Sequence, residues 1–304
     1  MKILVTGANG LLGHKLIALL SAQEEVETIA TSRGACRLPN EFNYIWRSMD
    51  IENREEVLQV FEETQPEVVI HTAAMTNVDQ CETDKQGCWR SNVTATQILV
   101  EAAGKAGAFF LHLSTDFIFD GSRGPLTEEE TPGPVNYYGE SKLASEEIVM
   151  KSTLDWAIAR TVLVYGITPS LSRSNIILWV KKSLEEGKTI QVVDDQWRTP
   201  TLAEDLAMGC WLIARKKAKG VFNISGKDML TPYQMAVKSA DFFNLDKKLM
   251  VKTDSSIFKQ PAARPLKTGF VLDKARKELD YAPHSFDEGI AIVARQFDEA
   301  GKAD

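Results

Sequence analysis

The chain has 304 residues, enough for two domains or for one large domain with an elaboration. Apolar residues make up 44% and charged residues 25%, with 19 Gly and 11 Pro, which excludes disorder, collagen and coiled coil as descriptions of the whole. The formal net charge of -7 repels a phosphate backbone, so nucleic acid is not an expected partner.

In chain order, β-branched runs predict strands at Lys2–Thr6, Val26–Ser32, Tyr44–Met49, Glu67–His71, Ala108–Ser114 and Trp156–Val164. Between them Leu11–Leu20, Glu55–Glu63, Ser91–Gly107 and Asn136–Lys151 read as helices, the last just past a Pro-Gly-Pro breaker. This alternation is that of βαβ units and predicts an α/β fold with a doubly wound parallel sheet. After Gly166 the rhythm is irregular: a helix over Ser174–Glu186, a strand Thr189–Val193, a helix Leu202–Arg215 and a strand Val221–Ser225. A helix after Pro232 and two more over Asp273–Leu279 and Phe286–Ala300 complete the chain. Residues 1–165 are expected to form a dinucleotide-binding domain to which the chain returns around 202–225. Residues 166–304 should be mainly a smaller substrate lobe, with the ligand between the two at the carboxyl ends of the strands.

Cys36, Cys81, Cys88 and Cys210 form no C-x-x-C pair and read as free thiols of a reducing compartment. No apolar run approaches the ~18 residues of a membrane span, and a first strand at Lys2 leaves no room for a leader, so a cytoplasmic protein away from the membrane is expected. His14, His71, His112 and His284 lack metal-ligand spacing, and no metal site is expected.

The first strand runs into Thr6-Gly7-Ala8-Asn9-Gly10-Leu11-Leu12-Gly13, a G-x-x-G-x-x-G turn opening into a helix. Such glycines let the backbone approach a pyrophosphate, whose charge meets the free N–H groups at the helix start. Gly7, Asn9, Gly10, Leu11, Leu12 and Gly13 are therefore the first candidates for binding a dinucleotide. At the end of the second strand, where an NAD-specific fold places a carboxylate for the ribose 2′-hydroxyl, this chain has Ser32 and Arg33. A guanidinium pairs with a 2′-phosphate, so NADPH is the expected cofactor, with NADH as the alternative. Asp50 and Ile51, after the third strand, are placed to flank the adenine.

Tyr138 and Lys142 stand four apart and share a helix face, where an ammonium is expected to lower the phenol pKa towards neutrality. Thr115 at the end of the fifth strand supplies a hydroxyl that can converge with that phenol on one carbonyl oxygen.

Taken together, the glycine turn, His71-Thr72-Ala73-Ala74, Asn92-Val93, Thr115 and the Tyr138/Lys142 pair resemble the extended short-chain dehydrogenase/reductase family over nearly the whole chain. Within it, Ser114-Thr115-Asp116-Phe117-Ile118-Phe119-Asp120-Gly121, Pro134-Val135-Asn136-Tyr137-Tyr138-Gly139, Asp195-Gln196-Trp197-Arg198-Thr199-Pro200-Thr201 and Arg264-Pro265 look most like the dTDP-4-dehydrorhamnose reductases. The resemblance implies a Rossmann domain followed by a sugar-nucleotide lobe. It further implies that Thr115, Tyr138 and Lys142 are catalytic, with Tyr138 protonating the sugar oxygen and Lys142 also holding the nicotinamide ribose. Ala73, Ala74, Thr76 and Asn92 would line the cofactor cleft, while Asp116, Arg198 and Arg264 join Thr115 and Tyr138 as candidates for the substrate, a nucleotide-linked 4-keto-deoxysugar. An arginine suits a diphosphate, and for Arg264 a structural salt bridge is an equal expectation. Trp179, Trp197 and Trp211 could stack on a base, although such tryptophans more often belong to the core.

The expected reaction is reduction of the 4-keto group with NAD(P)H. A dehydratase is disfavoured because Phe117 stands where those enzymes resemble a glutamate. An epimerase is disfavoured because Arg33 speaks for an exchangeable NADP. The competing class is a non-catalytic NADP-binding regulatory subunit resembling the β subunit of methionine adenosyltransferase. A homodimer is an expected assembly that the sequence leaves open.

Overall fold

The computed structural model describes residues 1–168 and 175–300. In chain order the strands are β1 (Lys2–Thr6), β2 (Glu27–Ser32), β3 (Ile45–Ser48), β4 (Val68–His71), β5 (Phe109–Thr115), β6 (Trp156–Thr161), β7 (Val164–Tyr165), β8 (Ile190–Val193), β9 (Thr201–Leu202), β10 (Gly220–Asn223) and β11 (Met250–Thr253). The α-helices are α1 (Leu11–Ser21), α2 (Arg54–Thr64), α3 (Val78–Thr83), α4 (Lys85–Trp89), α5 (Ala95–Ala106), α6 (Tyr137–Lys151), α7 (Ile176–Glu185), α8 (Ala203–Lys216), α9 (Pro232–Phe242), α10 (Asp273–Leu279) and α11 (Phe286–Ala300).

Among the described residues, seven strands form one parallel sheet in the order β10-β6-β5-β4-β1-β2-β3. Its central strands are buried at every position of β4 and β5, as strands covered on both faces must be. Alternate residues serve the two faces. Ile3, Val5, Ile70 and Leu111 pack with Leu16, Ile17 and Leu20 of α1 and with Leu206 and Trp211 of α8. Leu4, Val69, Phe110 and Ile158 pack instead with Val57 and Phe61 of α2, Ile98 and Leu99 of α5 and Val149 of α6. The result is a doubly wound, Rossmann-like α/β fold. The second half of the chain adds a parallel pair, β8 with β11, packed under α7 and α9 through Val180, Leu184, Ala236 and Ala240. No described helix is long and apolar enough to cross a membrane.

Several observed elements differ from the expected ones. The strand expected over Trp156–Val164 breaks at Leu163, whose φ of 35° is left-handed and turns the chain out of the sheet. Val164 and Tyr165 then pair with β9 instead. The helix expected over Ser91–Gly107 begins earlier: α4 starts at an Asp84 cap and continues through a π-helical turn, Arg90–Thr94, into α5. Strand β11 was not expected, because only its first residue is buried and its pattern does not alternate. Of the helix expected over Ser174–Glu186, Ser174 lies outside the described residues.

Candidate active site

The glycine turn is held by close backbone packing. A Cβ on Gly13 would lie 2.2 Å from the Gly7 carbonyl oxygen and 2.6 Å from Cα of Ala8, so only glycine lets α1 sit this tightly on the end of β1. Helix α1 starts at Gly10 with no side-chain cap and no acidic residue in its first turn, leaving its amide donors to meet an anion. Thr6, at the end of β1, accepts hydrogen bonds at Oγ1 from the amides of Thr72 (3.1 Å) and Ala73 (3.2 Å) and lies 2.8 Å from His71 Nδ1. These contacts align the end of β4, so that Ala73 and Ala74 are half-buried beside the turn and Thr76 is exposed beyond them.

The other cofactor candidates divide into positioning groups and free ones. The Asn9 side chain accepts from the Arg37 amide (3.0 Å) and donates to the Ala35 carbonyl (3.0 Å), fixing the loop after β2. Asn92 is buried; its amide oxygen accepts from the Met75 amide (2.8 Å) while its nitrogen donates to Met75 O (3.1 Å) and Ser141 Oγ (2.9 Å). Both side chains therefore shape the cleft through backbone. Leu11, Leu12, Ser32 and Ile51 are half-buried. Arg33 is largely exposed, with its guanidinium 3.7 Å from the Asp50 carboxylate.

Thr115, Tyr138 and Lys142 come together where β5 ends and α6 begins. Asn136 caps α6 by accepting from the Gly139 amide (2.9 Å). A Cβ on Gly139 would lie 2.1 Å from the Phe117 carbonyl oxygen, so this glycine lets the helix start press on the segment after Thr115. The Thr115 hydroxyl donates to Asp116 Oδ1 (3.2 Å) and accepts from the Phe117 amide (3.2 Å). Tyr138 packs edge-on to Phe117 at 5.8 Å and contacts buried Cys81 and Cys88.

The electrostatics correct one expectation. Burial pushes the Tyr138 phenol above its usual range; the Thr115 hydroxyl opposes this and buried Asp116 adds to it. The expected lowering by the Lys142 ammonium is not found, because the Lys142 Nζ docks 3.2 Å from Nε2 of His112. Lys142 itself is lowered to about 8 by burial, with Glu146 and Cys88 opposing.

The remaining substrate candidates, Asp116, Arg198 and Arg264, also find protein partners. Arg198 is 4% exposed and donates from Nη1 to Trp197 O (2.8 Å) and Leu266 O (3.1 Å), and from Nη2 to Pro265 O (2.5 Å). Its Nε lies 3.7 Å from Asp116, a buried carboxyl whose pKa burial raises and Arg198 lowers, and which accepts a short hydrogen bond from Thr268. Arg264 forms a bidentate bridge to Asp79 (2.6 and 2.8 Å). Asn136 Nδ2 adds a bond to Ala263 O (2.8 Å). Residues 262–268 thus form a strap drawn across the site by side chains from four other segments. A cavity of about 430 Å³ beside it is lined by Trp179, Gln191, Gln196, Phe258, Gln260 and Arg264, among others. Trp211 is a residue of α8 buried in the core, and Trp197 is half-buried with its backbone paired to the strap. Among the described residues, no group of three His, Cys, Asp or Glu side chains could hold a metal ion.

The sequence alone did not single out His112, Asp79 or Thr268. A histidine inside the otherwise apolar run Phe-Phe-Leu-His-Leu was a usable signal for the first. The other two carry no local signal, since their partners are 185 and 152 residues away.

The family model described as the RmlD substrate binding domain matches residues 1–299. The β subunit of methionine adenosyltransferase 2 from Rattus norvegicus is 32% identical over 84% of this chain and 76% of its own. The probable low-salt glycan biosynthesis reductase of Haloferax volcanii is 29% identical over 98% of this chain and 99% of its own. Among solved structures, the dTDP-4-dehydrorhamnose reductase of Bacillus anthracis in complex with NADP superposes with a TM-score of 0.82 at 27% identity, covering 97% and 99% of the two chains. The orthologue from Clostridium acetobutylicum gives 0.85 at 28% identity, covering 98% and 100%. The chain belongs to the RmlD substrate-binding-domain family and is an extended short-chain dehydrogenase/reductase resembling dTDP-4-dehydrorhamnose reductase.

Proposed function

We propose that the chain reduces the 4-keto group of a nucleotide-linked deoxysugar with NADPH, NADH being the alternative reductant. In this reading residues 1–165, with the return through 202–225, hold the cofactor, and 166–304 mainly the sugar nucleotide. The observation that carries it is the convergence of Thr115, Tyr138 and Lys142 beside the glycine turn. Lys142 reaches His112 at 3.2 Å, the His112 ring lies 5.4 Å from that of His71, and His71 is 2.8 Å from Thr6 at the turn itself.

The site fits a dinucleotide. The uncapped start of α1 and the glycines packed behind it favour a pyrophosphate, and the exposed Arg33 favours a 2′-phosphate. The relative from Bacillus anthracis is described in complex with NADP. When bound, the reduced nicotinamide supplies the hydride. The chain's own residues do the rest. Tyr138 donates a proton to the oxygen that gains charge as the carbonyl becomes a hydroxyl, and the Thr115 hydroxyl orients that oxygen by a hydrogen bond. Burial keeps Tyr138 protonated at neutral pH, which is the form a reduction requires. Lys142, mostly ammonium at pH 7, offers its donors to the nicotinamide ribose. The cavity beside the strap offers aromatic faces and side-chain amides suited to a nucleobase.

The test follows loss of dihydronicotinamide absorbance with a panel of nucleotide-linked 4-keto-6-deoxysugars. Tyr138→Phe is expected to lower kcat by on the order of 10²–10⁴-fold. Turnover equal to the wild type would remove the proton-donor role. A second reading, a regulatory subunit, draws on the 32% identity to the methionine adenosyltransferase 2 β subunit. It predicts no turnover of any sugar and copurification with a methionine adenosyltransferase.

A further inference from the structure

Two buried histidines lie side by side behind the reaction site, and their hydrogen bonding differs. For His71 the proton accounting closes. Thr6 Oγ1 already accepts from two amides, so its own proton goes to His71 Nδ1, 2.8 Å away. The other nitrogen, Nε2, then carries the ring proton and donates to Thr96 Oγ1 (3.2 Å), whose hydroxyl donates to Asn92 O (2.7 Å). Every group in this chain has one role.

For His112 the accounting does not close. The ring is fully buried, and its Nδ1 has no partner. Its Nε2 lies 3.0 Å from Ser145 Oγ and 3.2 Å from Lys142 Nζ. Ser145 has already given its proton to Lys142 O (2.7 Å), so it can only accept from this ring. An Nε2–H tautomer would satisfy Ser145 but would point a proton at the ammonium. The Nδ1–H tautomer frees the Nε2 lone pair for the ammonium and leaves a dry N–H in the core. A core selected for stability alone would fill this place with an apolar side chain.

We propose that His112 is a positioning residue for Lys142, accepting one of its three ammonium donors at Nε2 and fixing the amine beneath the reaction site. The role rests on the reductase reading only in its consequence for turnover; the contact itself does not. The charged and titratable groups facing Lys142 are few. Beside His112 on β5 there are His71 on β4, Cys88 on α4, and on its own helix Tyr138 and Glu146, whose carboxylate is paired with Arg160 of β6. Glu146 favours the charged amine, but its oxygens are held by the Arg160 guanidinium at 3.0 and 2.7 Å, which leaves His112, among the described residues, as the acceptor in hydrogen-bond reach. Burial holds His71 and His112 neutral, the former at about 3 and the latter well below its usual value, so neither adds a positive charge beside the lysine.

The full chain, labelled with [ε-¹³C]lysine and with the Lys142 resonance assigned by its loss in Lys142→Arg, would be titrated by NMR in the wild type and in His112→Leu, His112→Asn and His112→Gln. Removing the acceptor in His112→Leu is expected to move the Lys142 midpoint down by about one pH unit. The Asn side chain is too short to reach the Nε2 position and should shift it likewise, keeping the test valid if the Leu variant fails to fold. His112→Gln places an acceptor near Nε2 and should restore the wild-type midpoint. A purely structural role would change stability in these variants without moving the titration. An unmoved Lys142 midpoint in His112→Leu or His112→Asn overturns the proposal. The matching pH profile of kcat should shift in the same direction; absence of all turnover, with the NMR shift present, would sink the reductase reading and leave the contact standing.

Discussion

The two walls of the cleft are held by different physics. On the first, Gly13 and Gly7 bring backbone against backbone at the end of β1, and the contacts are steric and uncharged. On the second, residues 262–268 are tied down by side chains that reach main-chain carbonyls or pair with carboxylates: Arg198, Arg264, Asn136 and Thr268. The first wall has no adjustable part. The second depends on charges, and therefore on salt and pH, so the strap is the wall that can loosen while the dinucleotide turn stays in place.

The largest expected effect is on the charged wall. Arg198→Met leaves Asp116 buried without its counter-charge and takes the guanidinium from Pro265 O, so a loss of about 3–5 kcal/mol is expected in chemical denaturation. A loss below ~1 kcal/mol would show that the strap is held by packing alone. Next comes Gly13→Ala, whose new methyl must displace backbone rather than a flexible side chain. A loss of about 1–3 kcal/mol is expected, unchanged by high salt, and a salt-dependent loss would contradict the division drawn here. Smaller still is Asp79→Asn, which breaks a partly exposed bidentate bridge and is expected to lower stability by about 1 kcal/mol, less in high salt. The Arg264 hydrogen bonds, first among the causes, hold the Asp79 carboxyl below its usual value. Its contribution is therefore present above the unfolded-state pKa near ~4 and lost as pH falls through the lower folded value. The difference in Tm between wild type and Asp79→Asn should vanish in strong acid, and a difference that grows there would reverse the sign. The smallest stability effect belongs to Arg33→Ala, under ~0.5 kcal/mol for so exposed a side chain. The same variant should weaken NADPH roughly ten- to a hundredfold while leaving NADH nearly unchanged, and equal losses would remove the 2′-phosphate role.

The steric wall was legible in the sequence because its parts are neighbours: three glycines at fixed spacing, between a β-branched run and an amphipathic one. Thr115 stood out by its place at a strand end, and Tyr138 and Lys142 by their four-residue spacing on one helix. The strap was not legible. Arg198 and Arg264 stood out as cations suited to a diphosphate, yet their partners lie 67 and 185 residues away, and nothing local distinguishes an arginine that meets a ligand from one that meets a carbonyl. The direction of the Tyr138 shift was missed on similar grounds. Four-residue spacing places the ammonium on the same helix face, but the depth of burial and the competing His112 are properties of the packed sheet.

The outermost strand β10 is parallel to β6 and is joined to it only after about 60 further residues. Synthesised at roughly 5–20 residues per second, a nascent chain exposes the Trp156–Thr161 edge for several seconds before its cover exists. An unpaired strand rim of that kind invites association with other chains. Here the rim carries Arg160, a charge turned inward onto Glu146 of α6, so a neighbouring chain that displaced this pair would strand a buried cation. The ion pair that braces the helix bearing Tyr138 and Lys142 thereby also makes that rim a poor template for a second chain.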